Sequence, residues 1–307
     1  MLRRTALFLC LALALLTAAC HDNAHRERNS AYFWSTTFGL DSTQRAFIKA
    51  HHIARIYLRY FDVVVDASGQ LMPNASVRFE SGRPQGVEIV PTVFIVNNCL
   101  QHDVSQLDSL ILQRVLQMNE THDIDSVSEL QIDCDWTFRS HDKYFQLLER
   151  LRTRAAQQGL RLSVTIRLHQ LAEAPPPVDH GVLMMYNTGD VSDPDHNPIL
   201  DMEVASPYLR HLSGYRLPLS AAYPAFSWDL LFRGRRFVGI MHSRDEYPVT
   251  DGDTIMHRSA PLSTVREAKA AVDRLSPHAN DEIILFDISP NNLQNIKKHH
   301  YEEIYHP

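Results

Sequence analysis

The chain lacks most of the patterns that announce a chemistry at once. Its four cysteines form no Cys-x-x-Cys pair, and of its 17 histidines only His21 and His25, in a short polar stretch, stand at His-x-x-x-His spacing, so the usual sets of metal ligands are missing. No Gly-x-Gly-x-x-Gly follows the first strand-like run, which weakens a nucleotide-binding reading. Acidic residues outnumber basic ones by 36 to 30. No basic stripe breaks that excess, which argues against nucleic acid as a partner. An apolar run of about 20 residues, enough to span a bilayer, is also missing. Nothing here calls for a metal or an organic cofactor.

What is present begins at the N-terminus. Arg3 and Arg4 precede an almost wholly apolar run over 7–16, and small residues then lead to Cys20. This is the layout of a secretory signal over residues 1–19. The stretch Leu16-Thr17-Ala18-Ala19-Cys20 resembles the lipobox of bacterial lipoproteins, although that family prefers leucine where Thr17 stands. The resemblance implies cleavage before Cys20 and acylation of the new terminus. Each buried methylene contributes about 0.8 kcal/mol, so two or more chains hold a domain to membrane lipid. The expected location is the cell envelope, anchored through Cys20 and facing the periplasm or the exterior. Residues 20–30 are polar, without hydrophobic period, and read as a flexible tether. Loss of Arg3 and Arg4 with the leader takes the basic count from 30 to 28 and the formal charge from −6 to −8. Cys10 leaves with the leader. Cys99 and Cys134 remain, and outside the cytoplasm they could pair or stay free in apolar surroundings.

Residues 31–307 carry eight runs rich in β-branched and aromatic residues, at 31–38, 53–64, 87–96, 128–136, 160–168, 180–187, 217–228 and 282–289. A ninth run at 236–241 reads as part of an insertion. Helical patterns stand between them. One starts at Ser42, another spans 104–120 with Leu107, Leu110, Ile111, Val115 and Met118 near a 3.6 period, and a third begins at Ser140 and stops at Gly159. Further helices are expected over 206–215, 263–275 and 290–305. Strand and helix alternating about eight times specify an α/β fold: one TIM-like (β/α)8 barrel, with irregular crossovers between the second and third strands and between the seventh and eighth.

In such barrels the site is built where the strands end. The fourth strand gives the sharpest signal. With a period of two, Gln131, Asp133 and Asp135 share one face while Leu130, Ile132 and Cys134 share the other. The apolar set belongs under the helices, so the acids point toward the barrel axis, close enough for their titrations to couple with one proton held between them. These two are the candidate catalytic groups. The bland reading is that both bond Arg59 or Arg167 in a buried polar layer. Arg167 and His169 end the fifth strand at i, i+2 spacing, and either arginine could bind a sugar acid or neutralise Asp133 and Asp135. Tyr186 and Asn187 end the sixth strand, where they could bond sugar hydroxyls. Tyr223, Phe226 and Trp228 end the seventh, and Trp34 the first; such rings suit either stacking on sugars or core packing. Asp62 and Asp287 are candidate partner carboxylates across the lumen. The loop over 189–201 is acidic but fails the calcium-loop spacing, and reads as a rim loop.

Asp133-Cys134-Asp135-Trp136 resembles the fourth-strand Asp-x-Asp-Trp motif of family 18 glycoside hydrolases, the chitinase-like barrels. Met184-Met185-Tyr186-Asn187 is similar to their sixth-strand Met-x-Tyr-Asp, and the run 282–289 to their eighth strand, with Phe286 where tryptophan is usual. The chain also resembles a group of bacterial lipoproteins whose barrel carries Asp-x-Asp without the glutamate. The resemblance implies a carbohydrate ligand, with Trp136 near it, and a supporting role for Asp135 in orienting an N-acetyl group. It departs at Thr137, where that family has its catalytic glutamate, and at Asn187, where it has aspartate. Two consequences stay open: Asp135 acts as the acid with a second carboxylate across the lumen, or the barrel binds glycan or serves the envelope structurally without cleaving anything.

Overall fold

The computed structural model describes residues 28–241 and 246–306. The leader 1–19, Cys20 and the tether through residue 27 lie outside them. The first strand, β1 (Arg28–Phe33), begins three residues inside the stretch read as tether. The Arg28 amide donates to Asp281 O at 2.7 Å, and Arg28 pairs in register with Glu282, so these residues already belong to the sheet.

In chain order there follow β2 (Thr37–Phe38), α1 (Ser42–Ala50), β3 (Ile53–Val65), β4 (Leu71–Asn74), β5 (Arg78–Phe79) and β6 (Glu88–Ile95). Then come α2 (Leu107–Thr121), β7 (Glu129–Asp133), α3 (His141–Gln157), β8 (Arg161–Ile166), β9 (His180–Met184), α4 (Met202–Leu209) and β10 (Leu219–Pro224). The chain ends with β11 (Ser227–Arg233), β12 (Arg236–Met241), β13 (Asp253–Ser259), α5 (Leu262–Leu275), β14 (Glu282–Phe286) and α6 (Pro290–His299).

Strands β3, β6, β7, β8, β9, β10, β14 and β1 are parallel neighbours in that order, and β1 also pairs with β3, which closes the ring. These are the eight runs expected from sequence, and they form the TIM-like barrel. Two crossovers are irregular where expected. The path from β3 to β6 carries the antiparallel β4 and β5, which pairs back to β2, instead of a helix, and the path from β10 to α5 carries a three-stranded antiparallel sheet, β12-β11-β13. The run 236–241 is the edge of that insertion. A third irregularity was not foreseen: β8 reaches β9 through a short 3-10 helix, Leu168–Ala172. Among the described residues no helix is long and apolar enough to cross a membrane.

Local chemistry sets the helix ends. Asp41, not Ser42, caps α1: its carboxylate accepts from the Gln44 amide, and the Gln44 side chain accepts from the Asp41 amide, a reciprocal cap. Gly159 stops the turn after α3 at φ +72°, a conformation that disfavours a Cβ. On α3 the expected face of Tyr144, Leu147, Leu148 and Leu151 is buried. On α2 Leu107, Ile111, Val115 and Met118 are buried while Leu110 is exposed, as is Met72, which lines the same surface groove. Cys99 and Cys134 are both buried and free, so the disulfide alternative falls. The Cys99 thiol faces Val63 O at 3.3 Å.

The apolar strand faces pack outward under the helices, and the lumen is polar. Near the N-terminal ends of the strands Arg55 meets Glu88 at 2.8 Å, Glu129 at 3.2 Å and Glu282 at 3.7 Å. Ser30 and Ser220 donate to Glu282 at 2.6 and 2.9 Å, and Arg161 reaches Glu129 at 2.9 Å. One layer up, Tyr32 donates to Gln131 at 2.8 Å and Thr92 reaches the same oxygen at 3.3 Å. At the opposite end the chain leaves β14 through Asp287, whose peptide bond to Phe286 is cis. The buried Asp287 carboxylate accepts from Ser289 N at 2.8 Å, Ser289 Oγ at 2.5 Å and Asn292 at 2.9 Å, closing the turn into α6.

Two outcomes follow from this packing. Arg55→Met leaves Glu129 and Glu282 buried without their shared cation and should destabilise the domain by about 3–5 kcal/mol. Urea unfolding measures it, and a loss below about 1 kcal/mol would show that the cluster is not held by Arg55. Burial raises the Asp287 pKa, against which its hydrogen bonds pull. The folded carboxyl therefore keeps its proton to higher pH than the unfolded one, and ionisation opposes folding as pH rises through the folded value. Asp287→Asn keeps an acceptor oxygen and removes the charge. It should match or exceed the wild type in stability at neutral pH, with the difference vanishing in acid, where both forms are neutral. A clear loss at neutral pH would mean that the charge itself is used.

Candidate functional site

Eight parallel strands deliver their C-terminal ends to one mouth, and β7 brings the two candidate acids there. Asp133 is the last residue of the strand and is 6% exposed. Thr165, on the neighbouring β8, donates to it at 2.6 Å. Arg167, just beyond the end of β8, lies against both acids: its terminal nitrogen bonds Asp133, and its Nε pairs with Asp135. The Asp135 side chain is 59% exposed, so the acids share one arginine but not one environment. Burial opposes the charge on Arg167, and Asp133 and Asp135 outweigh it, leaving the guanidinium pKa raised. Arg167, one of the two arginines that the sequence offered as partners for these acids, is the cation that both contact.

Arg59, on β3, has its own partner. It grips Asp62 through two nitrogens, Nε at 2.8 Å and a closer terminal contact, and its guanidinium sits 5.6 Å from the Trp34 ring centre. Asp62 is therefore engaged by Arg59. Asp287 is engaged by the turn into α6. Neither stands as an open carboxylate opposite Asp135.

The aromatic residues converge on Phe286. Its ring centre lies 4.7 Å from Tyr186 in a stacked pair, 5.3 Å from Tyr32, 5.5 Å from Trp34 and 5.8 Å from Phe226. Trp228, partly buried on β11, extends the set through Phe226 at 5.1 Å. Tyr186 is 3% exposed, yet its hydroxyl has no hydrogen-bond partner among the described residues. Burial raises its pKa, as do the nearby Tyr32 and Asp133, while Arg167 lowers it. A neutral phenol is thus presented beside Asp133 and Arg167.

Several expected site residues point elsewhere. Trp136 is 1% exposed and packs against Tyr144, Phe145 and His141 under α3. Tyr223 is fully buried, and its hydroxyl donates to Asn280 at 2.7 Å beneath α5. Asp287 closes a turn. His169 does not share a face with Arg167, because β8 ends at Ile166 and the 3-10 helix carries His169 to an exposed position. Asn187 is exposed at φ +54°, a left-handed conformation that suits asparagine in a turn. The sequence reading missed Thr165, although alternation along β8 puts it on the face of Arg167, and it missed Phe286 as the centre of the rings. Thr137 is exposed in the turn before α3, its amide donating to Ser140 Oγ at 2.9 Å.

The 189–201 loop leaves β9 at the same end of the barrel. His196 Nδ1 lies 3.0 Å from Asp201, with Glu203 near both. Asp201 caps α4 and Glu203 and His196 are exposed, an arrangement that a solvated helix start already explains.

No protein-family model matches the chain, and no curated protein matches it in sequence. Solved structures match it in shape. A chitinase from Chromobacterium violaceum ATCC 12472 is similar at a TM-score of 0.56, with 11% identity over 89% of this chain and 99% of that one. The spore cortex-lytic enzyme SleL of Bacillus cereus is similar at 0.54, with 14% identity over 89% of this chain and 74% of that one. The class V enzyme from Pseudomonas fluorescens Pf-5 gives 0.55, with 11% identity over 89% and 99%. The architecture that this chain shares with them is the TIM barrel.

Proposed function

We propose that the barrel engages carbohydrate at its mouth. The observation that carries this reading is the Tyr186 hydroxyl, without a hydrogen-bond partner among the described residues, on a ring stacked against Phe286 and within the electrostatic reach of Asp133 and Arg167. Sugars are held by just these parts, an aromatic face for the C–H side of the ring and a few fixed polar groups for the hydroxyls. The likeness in fold to chitinase-like barrels supports it. Trp34, Phe286 and Trp228 supply the faces, while Tyr186 and Asp135 supply the polar contacts. Asp133, gripped by Thr165 and Arg167, positions Arg167 and through it Asp135.

Hydrolysis is a second reading, favoured by the unlike surroundings of the two acids. Catalytic carboxylate pairs divide their roles by environment, and Asp135 is the accessible member, able to reach a glycosidic oxygen. Thr137 supplies no acid, so turnover in this barrel depends on Asp135.

We also propose export and lipidation at Cys20, which Leu16 to Cys20 supports, and hence a place in the cell envelope. The start of β1 at Arg28 is at the barrel end opposite the mouth. Eight residues of extended chain reach at most about 29 Å, so an anchor at Cys20 holds that end near the bilayer and leaves the mouth facing away.

Two measurements test these readings. On a glycan array the soluble domain should bind a defined set of oligosaccharides, and Tyr186→Phe and Asp135→Asn should each weaken binding about tenfold, the scale of one lost hydrogen bond to a charged or buried group. Binding unchanged in both variants removes the mouth as the site, and aryl-glycoside turnover abolished by Asp135→Asn assigns hydrolysis. In cells given a radiolabelled fatty acid, the wild type should carry label and Cys20→Ser should not. Equal labelling of both sinks the anchor.

A further inference from the structure

We propose that the cavity at the N-terminal end of the barrel, opposite the mouth, binds a primary ammonium joined by a short spacer to a phosphate, the chemistry of an ethanolamine phospholipid headgroup. This is a second site, and it does not depend on the carbohydrate reading. Five strands begin on ionisable residues there: Arg28 on β1, Glu129 on β7, Arg161 on β8, His180 on β9 and Glu282 on β14. All five line a cavity of about 310 Å³, within the range that holds small ligands. Strands β7, β8 and β9 are neighbours in the ring, so Glu129 and His180 flank Arg161 on one wall, while β1 brings Arg28 to the wall across from it.

A floor that served packing alone would close its hydrogen bonds. This one leaves two acceptors open. Glu129 is 1% exposed; Arg55 at 3.2 Å and Arg161 at 2.9 Å both contact its Oε2, while Oε1 has no partner among the described residues. His180 Nδ1 is likewise without one. Its state follows from its neighbours. Ser220 Oγ gives its hydrogen to Glu282 at 2.9 Å, so it accepts from His180 Nε2 at 3.2 Å, and the ring hydrogen stands on Nε2. Nδ1 then carries a bare lone pair. Burial lowers the His180 pKa against the pull of Glu129 and Glu282, which keeps that nitrogen unprotonated at neutral pH. Strands two apart stand about 10 Å from each other, a gap that these two side chains narrow toward one occupant. An ammonium has three hydrogens to give them. Its charge also suits the wall, where Arg55 and Arg161 are two cations against Glu88, Glu129 and Glu282.

The opposite charge is met at the rim. Arg28 is exposed, and its guanidinium has no partner among the described residues. Asp281, the acid of that rim, is paired with His278 at 3.2 Å. A phosphate reaching toward Arg28 gains charge-assisted hydrogen bonds. The ammonium enters by exchange. Arg161, whose side chain is 53% exposed, yields its place at Glu129 and turns outward to the phosphate, while Arg55 stays. One cation replaces another, so no buried charge is stranded. A lipid source fits the placement, because the anchor proposed at Cys20 holds this end of the barrel near the bilayer, where headgroups stand.

The test uses the chain from residue 20 onward with Cys20→Ser, so that no acyl chain contributes. In titration calorimetry at neutral pH, O-phosphoethanolamine should bind at least about tenfold tighter than phosphocholine, whose quaternary nitrogen has no hydrogen to give. It should exceed ethanolamine, which lacks the phosphate, by a similar factor. Arg28→Glu, at an exposed position, should weaken phosphoethanolamine about tenfold. Glu129→Gln, with its fold checked by circular dichroism, should bring phosphoethanolamine and phosphocholine to similar affinity; if that variant does not fold, Arg28→Glu carries the test. Sedimentation with phosphatidylcholine vesicles, with and without phosphatidylethanolamine, separates the sources. Binding only where phosphatidylethanolamine is present assigns the lipid headgroup, and binding of free phosphoethanolamine without either vesicle assigns a soluble aminophosphate. Equal affinity for phosphocholine, an unchanged affinity in Arg28→Glu, or no binding of phosphoethanolamine in any form overturns the proposal. Glycan binding at the mouth is read separately, so each of these failures leaves the carbohydrate reading intact.

Discussion

A carboxylate placed inside a closed ring of strands has no water to turn to, and the cost of leaving it unpaired is several kcal/mol. That constraint organises this barrel from end to end. At the N-terminal end Arg55 serves Glu88, Glu129 and Glu282. At the C-terminal end Arg167 serves Asp133 and Asp135, and Arg59 serves Asp62. Between them Tyr32, Thr92 and Gln131 join in hydroxyl and amide bonds. The lumen is therefore a stack of paired polar layers, rigid because Arg55 and Arg167 reach acids on other strands and none of these ions can move without stranding a charge. The mouth inherits that rigidity. Asp135, the accessible member of the acid pair, is held by Arg167, which Asp133 and Thr165 fix from below.

Much of this was legible from alternation alone. Leu130, Ile132 and Cys134 against Gln131, Asp133 and Asp135 divided β7 into the two faces that the fold displays. The same parity would have sorted residues assigned to the site by their chemistry. Trp136 has the parity of Cys134 and packs under α3 with it. Tyr223 is out of phase with Ser220, which bonds Glu282 in the lumen, and so it faces α5. Asp287 is out of phase with Glu282 and Phe286. Residue type drew attention to these three, and periodicity placed them elsewhere. His169 escaped for another reason: the run at 160–168 gave no sign that the strand would stop at Ile166 and tighten into a 3-10 turn.

Partner choice among the charges was not legible. Nothing local distinguishes Arg59 with Asp133 from Arg59 with Asp62. The outcome depends on the register shift between Arg59 and Phe61 in β3, which brings Asp62 back within reach of the guanidinium. Arg167, in contrast, stands two residues beyond Thr165 on the strand beside β7, and parallel pairing of Gln131 with Ser163 carries it to the level of the acids. Register decided both pairings, and register comes from the closure of the whole barrel.

The chemistry open to the mouth follows from which groups remain unengaged. A two-carboxylate hydrolysis needs an acid and a second carboxylate on opposite sides of the scissile bond. Asp62 and Asp287, which could have supplied the second, are bound to Arg59 and to the Ser289 turn. Thr137 presents only a hydroxyl, and a hydroxyl does not release a proton at useful rates near neutral pH. What is left is an exposed carboxylate, a phenol and a wall of rings, the set on which the proposed carbohydrate binding rests. Recognition thus needs no further group, whereas bond cleavage asks Asp135 to act while Arg167 remains in contact with it. The geometry favours binding first, with any turnover governed by how far a bound sugar loosens the contact between Arg167 and Asp135.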